Sequence, residues 1–328
     1  MTQPNRVVGI DIAKHKADAC IRALGLRLSL AATQAGEREM IAWLRQHQVT
    51  LAVMEASGGY EQGWAKALRA AGIAVRIVDP KRVRYFAKSA GRHAKNDAID
   101  AEMIAWFGEI FGAAGEESYD ADRETLDRLV TARALLVKLQ AAVRQLDEHE
   151  QPQVVLAAQR ALLKVFATQI GKLEAAAEAK IAASPPLAAR AKIIASVPGL
   201  GRHFTAGALA WLPELGHIGN KPLAALVGLA PYDDDSGEHA GERHIKGGRQ
   251  EVRNLLYMAT LGAATQHNPV LVPYYRKLRA RGKKAKVALV ACMRKIITIL
   301  NTMLARNQTW NPPAAPAGDT PIAAAAPA

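Results

Sequence analysis

Four carboxylates set the first chemical question. Asp11 interrupts the apolar run VVGIDIA, and Glu55 closes a second apolar run in LAVMEASGG. A carboxylate beside a buried strand is costly unless it faces a cleft or binds a cation. Asp97 and Asp100 lie three apart in KNDAIDAEMIAWF, a spacing that puts both on one face of a helix. Each acid alone has an ordinary role: a strand-end turn for Asp11, a loop acid for Glu55, a helix cap for Asp97, a surface charge for Asp100. Taken together, beside apolar strands and next to a basic run, they point to a metal site. Oxygen-only ligands suit Mg2+ or Mn2+ and not zinc. Two such ions could clamp the attacking and leaving oxygens of a phosphodiester.

A second cluster surrounds Ser236, in LVGLAPYDDDSGEHAGERHIKGGRQEVRN. A serine hydroxyl is a weak nucleophile until something activates it. Lys246, Arg249 and Arg253 follow it and could stabilise charge on a phosphoryl group. Gly247 and Gly248 would let backbone approach a phosphate closely. Taken alone this is also what a surface loop before a helix looks like. Three acids, Asp233 to Asp235, precede the serine and would repel phosphate unless they face away or hold a cation. A third segment, IIASVPGLGRHFTAG, carries Gly199 and Gly201 where a helix–hairpin–helix turn could offer amides to a phosphate. An ordinary helix–helix turn fits that pattern as well.

These residues need elements to position them. RVVGIDI reads as a short buried strand, and 18–32 as a second and third strand of a meander. Residues 35–48 have helical spacing, 50–54 read as a strand, 61–71 as a helix, and AVRIVDP as another strand. That alternation predicts a layered α/β domain over 1–115. Over 116–187, Leu126, Leu129, Val130, Leu135, Leu136, Leu139, Val143 and Leu146 recur at helical spacing, and a second arm follows Gln151-Pro152. This predicts a helical hairpin or coiled-coil arm suited to oligomerisation, or a plain helical bundle. Ser184-Pro185-Pro186 marks a boundary, 188–310 reads as mostly α, and the Pro/Ala-rich 311–328 as a disordered tail.

The chain has 328 residues, 43 Lys and Arg against 30 Asp and Glu, and a formal net charge of +13. With 50% hydrophobic residues it can build cores, which excludes a wholly disordered chain. Cys20 and Cys292 form no CxxC pair, which disfavours a disulfide scaffold or a cysteine-rich zinc site. There is no apolar signal core, and Arg294-Lys295 splits the best apolar stretch. A cytoplasmic protein without a membrane partner is therefore expected, and nucleoid-associated if its partner is DNA. The charge is uneven: net +5 over 1–115, −1 over 116–190 and +9 over 191–328. Lys81, Arg82, Arg84, Lys88, Arg92 and Lys95 form one run without an acid. Arg276 to Lys295 forms another, including Arg279, Arg281, Lys283, Lys284 and Lys286. Single-sign runs of this length favour contact with a phosphate backbone over a solvated helix face.

The succession VVGIDIAKH, VMEASGGYE, KNDAIDA resembles the Asp-Glu-Asp-Asp domain of a bacterial insertion-sequence transposase family. That family includes Piv-type DNA invertases and bridge-RNA-guided recombinases. Its first domain is similar to the junction resolvase RuvC, with an RNase H-like fold. Asp11, Glu55, Asp97 and Asp100 match the four acids, although many members carry Thr where this chain has Asn96. GLAP, then Ser236-Gly237, then the Lys-Gly stretch and an Arg on the next helix resemble the family's second block, the transposase domain. The resemblance implies that Ser236 is the nucleophile forming a phosphoserine link to DNA. It also implies that the acids bind Mg2+ or Mn2+, and that a structured guide RNA, donor and target DNA, and a homodimer or homotetramer take part. A metal-dependent junction nuclease or an invertase without a guide RNA are the alternatives. A non-catalytic nucleic-acid-binding protein is a further one.

Overall fold

The computed structural model describes residues 6–91, 97–111, 120–145, 151–232, 235–236, 239–240 and 244–311. The expected tail beyond residue 311, and Arg92, Lys95 and Asn96, lie outside the described residues. Contacts divide the chain into two units, Met1–Tyr119 and Asp120–Ala328.

The first unit begins with a meander, β1 (Val7–Ile12), β2 (Lys16–Ile21) and β3 (Leu26–Ala31). Helix α1 (Gln34–Gln46) then leads to β4 (Leu51–Glu55), α2 (Glu61–Ala70), β5 (Ala74–Val78), α3 (Pro80–Ser89) and α4 (Asp97–Phe111). The sheet order is β3-β2-β1-β4-β5. β1 is antiparallel to β2 and parallel to β4, and β4 is parallel to β5. The period of two in a strand sends alternate side chains to opposite layers. Val8, Ile10, Ile12, Ala52 and Met54 meet Met40, Leu44, Trp64 and Leu68 on the α1/α2 side. Val7, Leu51 and Val53 meet Val83, Met103, Ile104 and Phe107 on the α3/α4 side. Helices on both faces of a mixed sheet are compatible with the expected RNase H-like domain.

The second unit opens with α5 (Ala121–Arg144) and α6 (Gln153–Ala183), separated by the expected Pro152 break. Lys180 pairs with Asp122, Arg133 with Glu174 at 2.7 Å, and the Gln159 side-chain amide donates to the Val143 carbonyl at 2.9 Å. Those pairings run in opposite sequence directions, so the two helices are antiparallel. Helices α7 (Pro185–Ala195), α8 (Arg202–Trp211) and α9 (Asn220–Val227) follow. Next come four two-residue strands, β6 (Pro231–Tyr232), β7 (Asp235–Ser236), β8 (His239–Ala240) and β9 (His244–Ile245). The unit closes with α10 (Gln250–Gly262), a π-helical turn over Ala263–His267, α11 (Leu271–Ala280) and α12 (Ala285–Ala305).

Leu126, Val130 and Ala177 share one core with Leu187, Ile194, Phe204, Leu256 and α12. The Ser184-Pro185-Pro186 step is thus a junction between helices within that core. By length and composition, α6 and α12 could each cross a membrane. Arg294 and Lys295 do not shorten α12, which is half buried and supplies Leu289, Met293, Ile296 and Leu300 to the core. Both cysteines are free and buried, and burial pushes the Cys292 thiol up to about 11.

Candidate active site

Parallel strands bring their carboxyl ends to one edge of a sheet, where α/β proteins bind ligands. Here that edge carries the first two acids. β1 and β4 pair with Ile10 beside Met54, so Asp11 and Glu55 are the next residues on neighbouring strands. Both alternate away from Ile10 and Met54 and therefore lie on the α4 side of the sheet. The path of α4 is fixed by two glycines. A Cβ on Gly9 would stand 2.2 Å from the Ala101 carbonyl oxygen and the Ala105 amide, and one on Gly108 would stand 2.7 Å from Val7 and Val53 side-chain carbons. Helix α4 thus crosses β1 in the opposite direction, with its beginning toward Asp11 and its end toward Val7. That places Asp97, the first residue of α4, and Asp100, one turn on, at the same sheet edge as Asp11 and Glu55. Asp11, Glu55 and Asp100 are half-buried, and each takes part in an interaction within the fold.

The donor set is all oxygen, which fits a hard divalent cation. Among the described residues, no three His, Cys, Asp or Glu side chains gather closely enough to hold a metal ion. The side chain of Asp97 lies outside the described ones.

Two neighbours of this edge were not evident in the sequence. Asp18 on β2 stands directly opposite Asp11 in the antiparallel register and pairs with Lys16 at 3.0 Å. Like charges directly across a sheet repel, and Lys16 is the cation that the fold sets beside Asp18. The other neighbour is Glu61, which is buried. It accepts from the Ser57 amide at 2.9 Å, the Ser57 hydroxyl at 2.8 Å and the Gly59 amide at 2.9 Å. Those bonds fix the turn that follows Glu55, in which Gly58 and Gly59 hold φ of 75° and 108°. Burial alone would raise the Glu61 carboxyl. The bonds from its own amide and from Ser57 and Gly59 outweigh that and hold it below the usual range.

Glu61 therefore contributes stability above the ordinary glutamate pKa, and that contribution is lost as pH falls through the lowered folded value. At neutral pH, Glu61→Gln is expected to cost about 1.5–3 kcal/mol, the range for hydrogen bonds to a charged group. Thermal midpoints measured against pH should show the gap between wild type and variant closing in acid. A gap that is constant down to pH 3 would contradict this role.

The basic residues divide by what they already touch. Lys81, Arg84 and Lys88 are exposed on α3, while the Arg82 guanidinium lies 5.4 Å from the centre of the Phe107 ring. Arg279, Arg281, Lys283, Lys284 and Lys286 are exposed at the α11–α12 turn, where Arg279 donates to the Lys283 carbonyl at 2.6 Å. Lys246 is exposed. Arg249 is engaged inside the fold: its guanidinium donates to Glu214 at 2.7 Å and to the Trp211 carbonyl at 2.9 Å. Arg253 donates to the Gly247 carbonyl and to Gln250. Gly199, at φ 88°, lets the Val197–Leu200 turn pass Ala263, whose backbone a Cβ would approach at 2.7 Å. Gly201 precedes α8 and faces open space.

The expected polar loop around the serine contains paired backbone. β6 pairs with β9, Tyr232 opposite His244, and between them in sequence β7 pairs with β8, Ser236 opposite His239. Ser236 therefore sits at the innermost pair of a hairpin with a two-residue connection. The side chains of this hairpin lie outside the described ones. The acids belong to the first unit and Ser236 to the second.

Comparison with known proteins places both regions. Residues 8–151 match a transposase family model, the DEDD transposase domain of IS110, and residues 191–276 match the model described as transposase IS116/IS110/IS902 family. A pilin gene-inverting protein of Moraxella bovis is 26% identical over 318 residues, covering 93% of this chain and 97% of that protein. An uncharacterized 43.6 kDa protein of insertion element IS110 from Streptomyces coelicolor is 27% identical over 233 residues, 67% of this chain and 56% of that one. A 44.8 kDa protein of insertion element IS116 from Streptomyces clavuligerus is 33% identical over 125 residues, 38% of this chain and 31% of that one. The four acids fall inside the first matched segment and Ser236 inside the second, and the chain belongs to the IS110/IS116 transposase family, as a DNA-rearranging enzyme.

Proposed function

We propose that this chain is a site-specific recombinase whose RuvC-like acidic edge and serine hairpin together cut and rejoin DNA. The observation that carries this reading is the convergence of Asp11, Glu55 and the start of α4 at one sheet edge. Asp11, Glu55, Asp97 and Asp100 would hold Mg2+ or Mn2+. When bound, such an ion supplies Lewis-acid stabilisation of charge on a phosphoryl oxygen. Ser236 attacks the phosphorus: a bond from Oγ to phosphorus forms as the bond from phosphorus to a deoxyribose oxygen breaks. The serine proton leaves to a base or to water, and the departing oxygen takes up a proton. Religation reverses these changes with a different strand, so no bond energy is lost and no nucleotide cofactor is needed. Lys246 and the exposed bases at the α11–α12 turn would bind phosphates, while Arg249 holds the hairpin's base to Glu214.

The resemblance supports a structured guide RNA. Sequencing the RNA that copurifies with the protein tests this; recombination by protein shown to be free of RNA would refute it. The near full-length similarity to a pilin gene-inverting protein supports DNA inversion as a second reading, and its guide-free form is the alternative to RNA guidance. Inversion between inverted repeats by protein free of RNA is the outcome this second reading expects, and loss of inversion when the RNA is removed would contradict it.

The surface of α5 and α6 supports a homodimer or homotetramer assembled through the arm. Leu135, Leu139, Val154, Leu162 and Val165 are exposed there, and only 6% of the most apolar window of α6 is buried. At 1.5 Å per residue α6 is roughly 46 Å long, ample for an assembly contact. Leu162→Glu with Val165→Glu is expected to lower the mass measured by sedimentation to that of a monomer and to abolish recombination. An unchanged mass would contradict the arm's role.

A further inference from the structure

The exposed side of α3 carries more than charge. Lys81, Arg84, Tyr85 and Lys88 stand at i, i+3, i+4 and i+7, the spacing of one helical stripe, and all four are exposed. The opposite side of α3 is taken by the fold: Val83 is buried, Phe86 meets Trp106 edge-on with ring centres 5.1 Å apart, and Arg82 covers Phe107. Tyr85 leaves 69% of its surface in water, the highest exposure of any aromatic ring in this unit among the described residues. A bare ring flanked on both sides by cations and by no acid is the composition of a surface that holds an unpaired strand. The cations follow the backbone and the ring stacks on a base. Helix α3 also starts directly after β5, where Asp79 caps it by accepting from the Lys81 amide at 2.8 Å. β5 is the strand next to β4 and two strands from β1, so α3 begins about 10 Å from the end of β1 at the strand spacing of a sheet.

We propose that this stripe binds single-stranded DNA beside the acidic edge, with Tyr85 stacking on an unpaired base. The inference rests on the recombinase reading, because it needs strands that open near the acids. It adds what that reading lacks, a feature that recognises DNA in the unpaired state and so favours a melted site.

Binding of the full-length protein to an oligo-dT strand and to a blunt duplex of equal length tests this. Tyr85→Ala is expected to weaken binding to the single strand about tenfold and binding to the duplex less than twofold, and Tyr85→Phe to keep wild-type affinity. With 5-iododeoxyuridine in the strand, the photocrosslink should map to Tyr85. Equal effects on both DNAs, no effect on either, or a crosslink that avoids residues 81–88 would overturn the proposal. So would a loss confined to an oligo-rU strand. Replacing Lys81, Arg84 and Lys88 together by Ala should lower the salt slope for the single strand by about 2. If that variant keeps both affinity and slope, the reading of α3 as a nucleic-acid surface fails as well, whatever Tyr85 does.

Discussion

Replacing Asp11 by Asn is expected to lower DNA rearrangement by about a thousandfold or more while leaving the protein folded. The change keeps the shape of the side chain and removes the charge that would hold a cation. Loss of metal-borne charge stabilisation amounts to several kcal/mol in the transition state, and each 1.36 kcal/mol is tenfold in rate. The fold should tolerate the change within about 1 kcal/mol, because Asn keeps the shape and hydrogen-bonding oxygen of a half-buried side chain, and the repulsion from Asp18 across the sheet is relieved. A binding readout separates this from a generally damaged protein. A cation that binds only the folded state raises the thermal midpoint by mass action. Added Mg2+ or Mn2+ should therefore raise the midpoint of wild type and leave that of Asp11→Asn unmoved. A variant that rearranges DNA at the wild-type rate, or one that still responds to the metal, would remove Asp11 from the metal site.

Ser236→Ala carries the second large effect. Removing a nucleophile that forms a covalent intermediate costs on the order of ten-thousandfold or more in well-studied cases. The hairpin should survive, since β7 and β8 are joined by backbone pairing that alanine preserves. The metal-dependent rise in midpoint should also survive, because the acids lie in the other unit. Strand nicking by Ser236→Ala at the wild-type rate, with rejoining lost, would favour the metal-dependent nuclease in which the serine is structural.

The parts of this protein that a sequence displays are those carried by local pattern. Asp11 and Glu55 stood out because apolar strands rarely carry acids, and the strands appeared within one or two residues of where they were expected. The pair Asp97 and Asp100 was visible from helical spacing, and α4 begins at Asp97. What the sequence concealed depends on partners far along the chain or on register. Asp18 reads as an unremarkable strand acid until the antiparallel pairing sets it opposite Asp11. Glu61 reads as a helix-start surface charge, yet it is buried and organises the turn after Glu55. Arg249 reads as able to stabilise a phosphoryl group because it follows Ser236, and its pairing with Glu214, 35 residues away, is not visible in the sequence. The single-sign run at 81–95 was legible as charge. Which of its members face outward required the packing of Val83 and Phe86 on α4.

One measurement bears most directly on the claim that Ser236 attacks DNA with the help of the acidic edge. The protein is incubated with a nicked substrate whose cleaved strand diffuses away, then denatured in SDS and mapped by mass spectrometry. The expected result is a DNA adduct that resists SDS, carries its phosphodiester link on Ser236, requires Mg2+ or Mn2+, and disappears in both Ser236→Ala and Asp11→Asn. An adduct on another residue, or complete recombination with no adduct formed, would contradict it.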